Sequence, residues 1–300
     1  MTDYNKEFIK NEINLMERIK LKYSRLSKSQ KMIANYILDH YDKAAFMTAS
    51  LLGETVDVSE STVVRFANAL GYSGYPKLQK ALQELIKTKL TTVQRLELSN
   101  NQITQDSIIR DVIKSDIENI QATLNELDRE EFSKIVEILH KAKNIYIVGF
   151  RTTTVLTEFL GFYLNLILDN VRVVSYGISD IYEQLINVTS DDVVIGISFP
   201  RYSRKTAQIL EFVKEKGSQV IAITDSDLSP LIELSDYKLI ARSNMVSFVD
   251  SLVVPLSLMN ALIVSLGMGE REKITKTFED LEKIWERYEI YTSKDRMGKI

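Results

Sequence analysis

The sequence has no cysteine, which excludes a disulfide scaffold, a cysteine zinc site, an iron–sulfur site and a cysteine nucleophile. It has two histidines, His40 and His140. A multi-histidine metal site is therefore out of reach, and a His-dependent enzyme has two candidates at most. No run of about 18 apolar residues is free of charged or polar breaks, so a membrane-spanning helix is not expected. The first ten residues, MTDYNKEFIK, are charged from the start and lack an apolar signal core. The chain reads as cytoplasmic, and no metal or cofactor is called for.

What remains is ordinary for a folded chain. Of 300 residues, 45% are hydrophobic and 26% charged, outside the range of disordered sequences. The length suggests two domains. Charge is uneven: residues 1–90 carry 14 Lys/Arg and 10 Asp/Glu, a net of +4, whereas residues 91–300 carry 24 and 31, a net of −7. An anionic polymer would be met by the N-terminal part.

Periodicity divides the chain in the same place. Ile33, Tyr36, Ile37 and His40 fall on one face of a helix that starts near Ser27 or Ser29. A short helix over Ala49–Val56 has Thr48 as its N-cap, and Asp57-Val58 turns the chain. Ser59 then caps a helix from Glu60 to Leu70, with Val63, Phe66, Ala67 and Leu70 as its buried stripe and Gly71 as its stop. Another helix covers Lys77–Leu90. Residues 91–107 are polar and aperiodic, the best linker candidate.

Beyond it, helices alternate with apolar strands. Helices are expected over Ile108–Leu127, Arg129–Lys141, Thr153–Leu168, Asp180–Val188, Arg204–Lys216, Phe248–Leu266 and 270–288. Strands are expected over Asn144–Val148, Arg172–Ser175, Asp192–Ile197, Gln219–Thr224 and Tyr237–Ala241. Five short strands separated by helices argue for a parallel sheet covered on both faces. Ligands of such sheets sit beyond the carboxyl ends of the strands.

A short helix, a tight turn and a second helix make a helix-turn-helix. The second helix enters the major groove by its N-terminal residues. With Val63 and Phe66 inward, Glu60, Ser61, Val64, Arg65 and Asn68 face out. Ser59, Ser61 and Thr62 offer hydroxyls to phosphates, and Arg65 reaches guanine or a phosphate. Tyr72, Tyr75 and Lys77 are placed to touch the backbone. The competing reading is a plain helical bundle with a serine-capped helix. The run V-S-E-S-T-V-V-R-F-A-N-A-L-G-Y, followed by S-G-Y-P-K-L, resembles the N-terminal domain of the RpiR family of bacterial transcriptional regulators.

Two loops follow strand ends in the second part. Gly149-Phe150-Arg151-Thr152-Thr153-Thr154 leads into a helix. Ser198-Phe199-Pro200-Arg201-Tyr202-Ser203-Arg204-Lys205-Thr206 does the same, with three hydroxyls besides Tyr202 and with Arg201, Arg204 and Lys205. Backbone N–H groups, hydroxyls and arginines suit a phosphate. Residues 108–268 resemble a sugar isomerase (SIS) domain, whose patterns are G-x-G-x-S after the first strand and S-x-S-G-x-T after the third. Gly149, Thr153, Ser198 and Ser203 match in kind. Arg151 stands at the second glycine of the first pattern, and Pro200 and Arg201 stand at the inner Ser and Gly of the second. The resemblance implies an all-α helix-turn-helix domain (1–90), a linker (91–107) and an α/β SIS domain with a five-stranded parallel sheet (108–300). It implies a sequence-specific regulator that senses a phosphorylated sugar or related metabolite. The ligand contacts would be Gly149, Arg151, Thr152, Thr153, Ser198, Arg201, Ser203, Arg204 and Thr206. The partners would be a palindromic operator and further copies of the chain, joined through the second domain and the apolar stripe Leu281, Ile284, Trp285 and Tyr288. The alternatives are a phosphosugar isomerase with an appended helical domain, for which Glu158, Glu183 and His140 are the available acid–base groups, and a protein-interaction module.

Overall fold

The computed structural model describes residues 15–89, 91–100, 106–243 and 248–291. The chain forms two units, Met1–Arg95 and Leu96–Ile300.

Among its described residues the first unit has helices and no strand: α1 (Leu15–Lys22), α2 (Lys28–Asp39), α3 (Tyr41–Ala44), α4 (Ala49–Thr55), α5 (Glu60–Ala69) and α6 (Tyr75–Lys89). Ser27 starts α2 through a capping box with Gln30, and the Thr48 hydroxyl accepts the Leu51 N–H to start α4. Ile33, Ile37, Leu52, Val63, Phe66, Leu70, Leu78 and Leu82 are fully buried and form the centre. The expected stripe of α5 is therefore the buried one. The expected linker is not irregular throughout: Thr92–Asn100 is helix α7. Thr91 and Gln94 build its capping box, the Thr91 N–H donating to Gln94 Oε1 and the Gln94 N–H to Thr91 Oγ1 (3.0 and 3.2 Å). Polar composition hid a helix start that the T-x-x-Q spacing encodes. Residues 101–105 and Leu90 lie outside the described residues.

The second unit opens with α8 (Ile108–Glu126) and α9 (Arg129–Lys141). It continues β1 (Ile145–Val148), α10 (Thr154–Ile167), β2 (Val171–Val174), α11 (Ile181–Gln184), β3 (Val193–Ile197), α12 (Arg204–Glu215), β4 (Gln219–Thr224), β5 (Tyr237–Ile240), α13 (Val253–Gly269) and α14 (Arg271–Arg287). The strands pair in parallel in the order β2-β1-β3-β4-β5. β1 and β3 are buried along their whole length, as a sheet covered on both faces requires. Alternation still sorts their side chains. Ile145, Ile147, Ile195, Ile197, Ile221 and Ile223 pack with α9, α10 and α13. Tyr146, Val148, Val194, Val220 and Ala222 pack with α11 and α12 on the other face.

Helix α11 is shorter than its pattern suggested. Asp180 caps it and its N3 residue Glu183 closes the box, but the helix ends at Gln184 in a series of turns. Helix α13 starts later than Phe248, at Val253; the Ser251 hydroxyl before it donates to Asp116 Oδ1 (2.6 Å) and accepts the Val253 N–H (3.4 Å). On α14 no residue is fully buried; Leu281 and Trp285 are half-covered, whereas Ile284 and Tyr288 are exposed. No single described helix is long and apolar enough to cross a membrane.

Candidate DNA interface and effector crevice

In the first unit the two-helix corner is set by a close approach. A Cβ on Gly53 would meet the Val58 carbonyl oxygen at 2.6 Å, so only glycine lets α4 meet the turn into α5. The Val58 N–H donates to the Gly53 carbonyl (2.8 Å), and Asp57 takes φ 55° to make the corner. This glycine, in the L-L-G-E run, was the signal the spacing argument left unused.

Ser59 occupies the N-cap position of α5 in extended conformation, but its side chain makes no cap bond. Instead its Oγ lies 3.0 Å from Ser61 Oγ and 2.9 Å from Thr62 Oγ1. Arg65 Nη2 donates to Thr62 Oγ1 (3.2 Å). Three hydroxyls and one guanidinium thus gather on the first turn of α5, beside backbone N–H groups that no side chain occupies. Glu60, Ser61, Arg65 and Asn68 are exposed, Thr62 and Val64 half-buried. Lys77 is exposed on the first turn of α6.

Tyr75 is a correction. It is a core residue: it is buried, and its hydroxyl donates to the Met47 carbonyl (2.7 Å). Burial pushes its phenol up to about 12. Helix α6 begins at Tyr75 rather than Lys77, and its first turn sets Tyr75 and Leu78 on the buried side while Pro76 and Lys77 face out. Tyr72 is half-buried, and the Arg18 guanidinium sits 5.2 Å from its ring centre.

In the second unit β1 is followed by β2 on one side and flanked by β3 on the other. The chain thus reverses direction across the sheet between β1 and β3, the topological switch point where open α/β sheets hold ligands. Both sequence-singled loops leave the sheet there. A Cβ on Gly149 would stand 3.0 Å from the Ile197 carbonyl and 2.9 Å from Thr153 Oγ1. The two strand ends are in contact, and only glycine fits between them.

The loops share a backbone device. Arg151 has φ 65° and Arg201 φ 64°. These are the two glycine positions of the SIS patterns at which this chain has another residue. The left-handed turn is kept although each arginine carries a Cβ, at a cost of about 1–2 kcal/mol apiece. Both arginines are exposed. Thr152 is exposed, whereas Thr153 is buried and donates its hydroxyl to the Phe150 carbonyl (2.9 Å). Ser198 is buried, and its Oγ accepts the Ser203 N–H (2.9 Å). Ser203 in turn caps α12, its Oγ accepting the Thr206 N–H (3.2 Å). Arg204, the first residue of α12, is exposed.

Thr206 is a second correction. It is fully buried, not presented on the loop surface, and its hydroxyl has no hydrogen-bond partner among the described residues. The acid–base groups of the isomerase alternative are dispersed. Glu183 accepts the Asp180 N–H in the α11 capping box (2.9 Å). His140 Nδ1 lies 3.5 Å from Glu270, and Glu158 is an exposed residue of α10.

A third loop escaped sequence reasoning. Thr224, Asp225, Ser226 and Ser229 are all buried after β4. Tyr202 of the second loop donates to Asp225 Oδ1 (2.8 Å), and Arg242 Nη1 to the Asp225 carbonyl (3.5 Å). Arg242 also holds α8: its N–H donates to Thr123 Oγ1 (2.9 Å) and its guanidinium pairs with Glu126. The T-D-S-D-L-S run directly after an apolar strand was the available signal.

Family models match both units: a helix-turn-helix domain, rpiR family, over residues 13–89 and a SIS domain over residues 138–265. The chain belongs to the RpiR family. An HTH-type transcriptional regulator of Haemophilus influenzae is 28% identical to this RpiR chain over 236 residues, covering 76% of it and 79% of the relative. HexR of Escherichia coli, also an HTH-type transcriptional regulator, is 24% identical over 225 residues, 71% of this chain and 73% of HexR. Among solved structures, the sugar isomerase domain of an RpiR transcription factor from Sphaerobacter thermophilus superposes with TM-score 0.56 at 29% identity, covering 59% of this chain and 99% of that one. The Vibrio vulnificus NanR protein, complexed with ManNAc-6P, has TM-score 0.54 at 22% identity over 91% of this chain and 98% of its own, a likeness of fold.

Proposed function

We propose that this RpiR chain is a cytoplasmic transcriptional regulator that binds a palindromic operator through α5 and releases or grips it in response to an anionic sugar metabolite, a phosphate ester, held between the Gly149–Thr154 and Ser198–Thr206 loops. The observation that carries the reading is the pairing of the two loops at the β1/β3 switch point, each with an arginine held in a glycine-type turn. Strained arginines at a ligand crevice bring charge where the family pattern brings only backbone. Arg201 and Arg204 supply that charge, and Ser198 and Ser203 hydrogen-bond the ligand. The regulator names of the relatives support a sensing role over turnover, and a palindrome calls for a homodimer or tetramer assembled through residues 108–290.

Titrating each sugar phosphate beside its dephosphorylated form tests the effector. A ligand at a hundredfold excess over its Kd adds about 2.7 kcal/mol to the native state, several degrees of melting temperature for a unit of this size. The phosphate ester is expected to give the larger shift; an equal or larger shift with the neutral sugar removes the phosphate reading and leaves the regulator reading intact. Steady turnover of a hexose phosphate by the purified chain would establish the isomerase alternative instead.

The DNA reading has its own test. Arg65→Ala is expected to cost about 1–3 kcal/mol on the operator and to relax preference at one base pair. Lys77→Ala should weaken binding evenly across sequences and flatten the salt dependence. Gel-shift titrations at two salt concentrations separate the two effects, and wild-type affinity in both variants would remove α5 from the interface.

A further inference from the structure

Helix α13 is apolar on both sides. Val254, Leu258, Met259, Leu262 and Leu266 are buried in the core beside the sheet. Yet Val264 and Met268, on its outward side, are 60% and 77% exposed. The outward side of a surface helix normally carries polar residues. The chain bends by 103° between α13 and α14, and the end of α10 closes the third side of the elbow. Together they form a cleft of about 560 Å³. Its walls include Tyr163 and Ile167 of α10, Val264 and Met268 of α13, and Ile274 and Phe278 of α14.

One charged side chain, Arg271, stands on this lining. The charged residues beside it in sequence are engaged elsewhere, Glu270 with His140 and Lys273 with Asp169. No carboxylate among the described residues pairs with the Arg271 guanidinium. The cleft is separate from the effector crevice. The Gly149–Thr154 loop meets α10 at its first residue, whereas Tyr163 to Ile167 end that helix. At ~1.5 Å per residue they lie roughly 14–20 Å along the helix axis from the loop.

Small-molecule sites run to about 300–1,000 Å³, with apolar walls and few polar groups, and this cleft has that build. A flat protein surface would leave the concavity empty. A flexible tail fills it, the unbranched Met268 adapts to the tail, and a carboxylate complements the lone cation.

We propose that the cleft between α10, α13 and α14 binds a soluble carboxylate carrying one unbranched aliphatic tail of about ten carbons, with the tail against Val264, Ile274 and Phe278 and the carboxylate on Arg271. The site goes beyond the sugar-sensing reading and does not depend on it.

Octanoate, decanoate and dodecanoate, each below its micelle concentration, are titrated calorimetrically into the full-length chain. One site per chain is expected, with affinity rising about fourfold for each added methylene. Dodecanoate should bind about fivefold or more tightly than dodecylamine, whose cationic head meets a like charge. Arg271→Glu, at an exposed position, is expected to invert that order while leaving the melting curve by circular dichroism unchanged. Val264→Trp should fill the cleft and lower dodecanoate affinity more than tenfold; if it fails to fold, the inversion decides. Equal affinity for carboxylate and amine in the wild type overturns the proposal, as does an order that Arg271→Glu leaves as it was. Absence of saturable binding also overturns it, and a lower sedimenting mass for Val264→Trp would then make the cleft a contact between copies. The readout uses neither DNA nor sugar phosphate, so its failure leaves the regulator reading standing.

Discussion

Phe66→Ala is expected to abolish operator binding by melting the DNA-binding unit. Phe66 is the largest of the fully buried side chains. It is set on the recognition helix where α5 meets α2 and α6. Truncating a buried phenylalanine costs about 3–5 kcal/mol, a large part of the 5–15 kcal/mol that holds a typical domain together. A small helical unit tolerates that poorly. The variant should lose helical signal at a lower temperature than the wild type and show no gel shift. The effector-induced melting shift of residues 96–300 should survive, because the sheet unit has its own core. Wild-type melting and operator affinity together would show that α5 is not seated by this ring.

The second large effect belongs to the crevice. Ser198→Ala combined with Arg201→Ala is expected to weaken effector binding more than tenfold, as a charge-assisted hydrogen bond contributes about 1.5–3 kcal/mol. The change in operator affinity caused by the effector must shrink to match, because coupling between two sites is reciprocal. Arg201→Gly separates charge from shape. Glycine suits φ 64° without the Cβ penalty, so this variant should keep the turn yet bind the effector more weakly. If Arg201→Gly binds the effector as tightly as wild type, the guanidinium plays no part in recognition.

Much of this architecture was legible in the sequence because the elements that matter are regular. The Val63, Phe66, Ala67, Leu70 stripe has one solution on a helix ten residues long, and apolar runs such as Val193–Ile197 fit a strand covered on both faces. The pair of loops was legible for the same reason: each begins where such a run ends. What the periodicity could not supply was direction. Tyr75 precedes a proline after a glycine-containing loop and reads as surface, yet the first turn of α6 sets it on the buried side, where its hydroxyl meets the Met47 carbonyl. Thr206 reads as a third hydroxyl in the effector loop, but it lies on the buried side of the first turn of α12. On α8 the period announces a helix correctly, while the usual assumption that the apolar side faces inward is wrong. Only long-range partners, Arg242 and Ser251, decide which side is in.

The polar seating of α8 has a mechanical meaning. Aliphatic side chains slide over one another with little change in energy, so a greasy face sets the distance of a helix but not its register. Hydrogen bonds have fixed acceptors. Thr123 and Glu126 are both held by Arg242 and Asp116 by Ser251, and together these contacts index α8 along its length and about its axis. Arg242 also donates to the Asp225 carbonyl, and Tyr202 of the Ser198–Thr206 loop is bonded to the same aspartate. The Ser198–Thr206 loop and α8 are therefore cut from one rack, with Arg242 as the tooth between them.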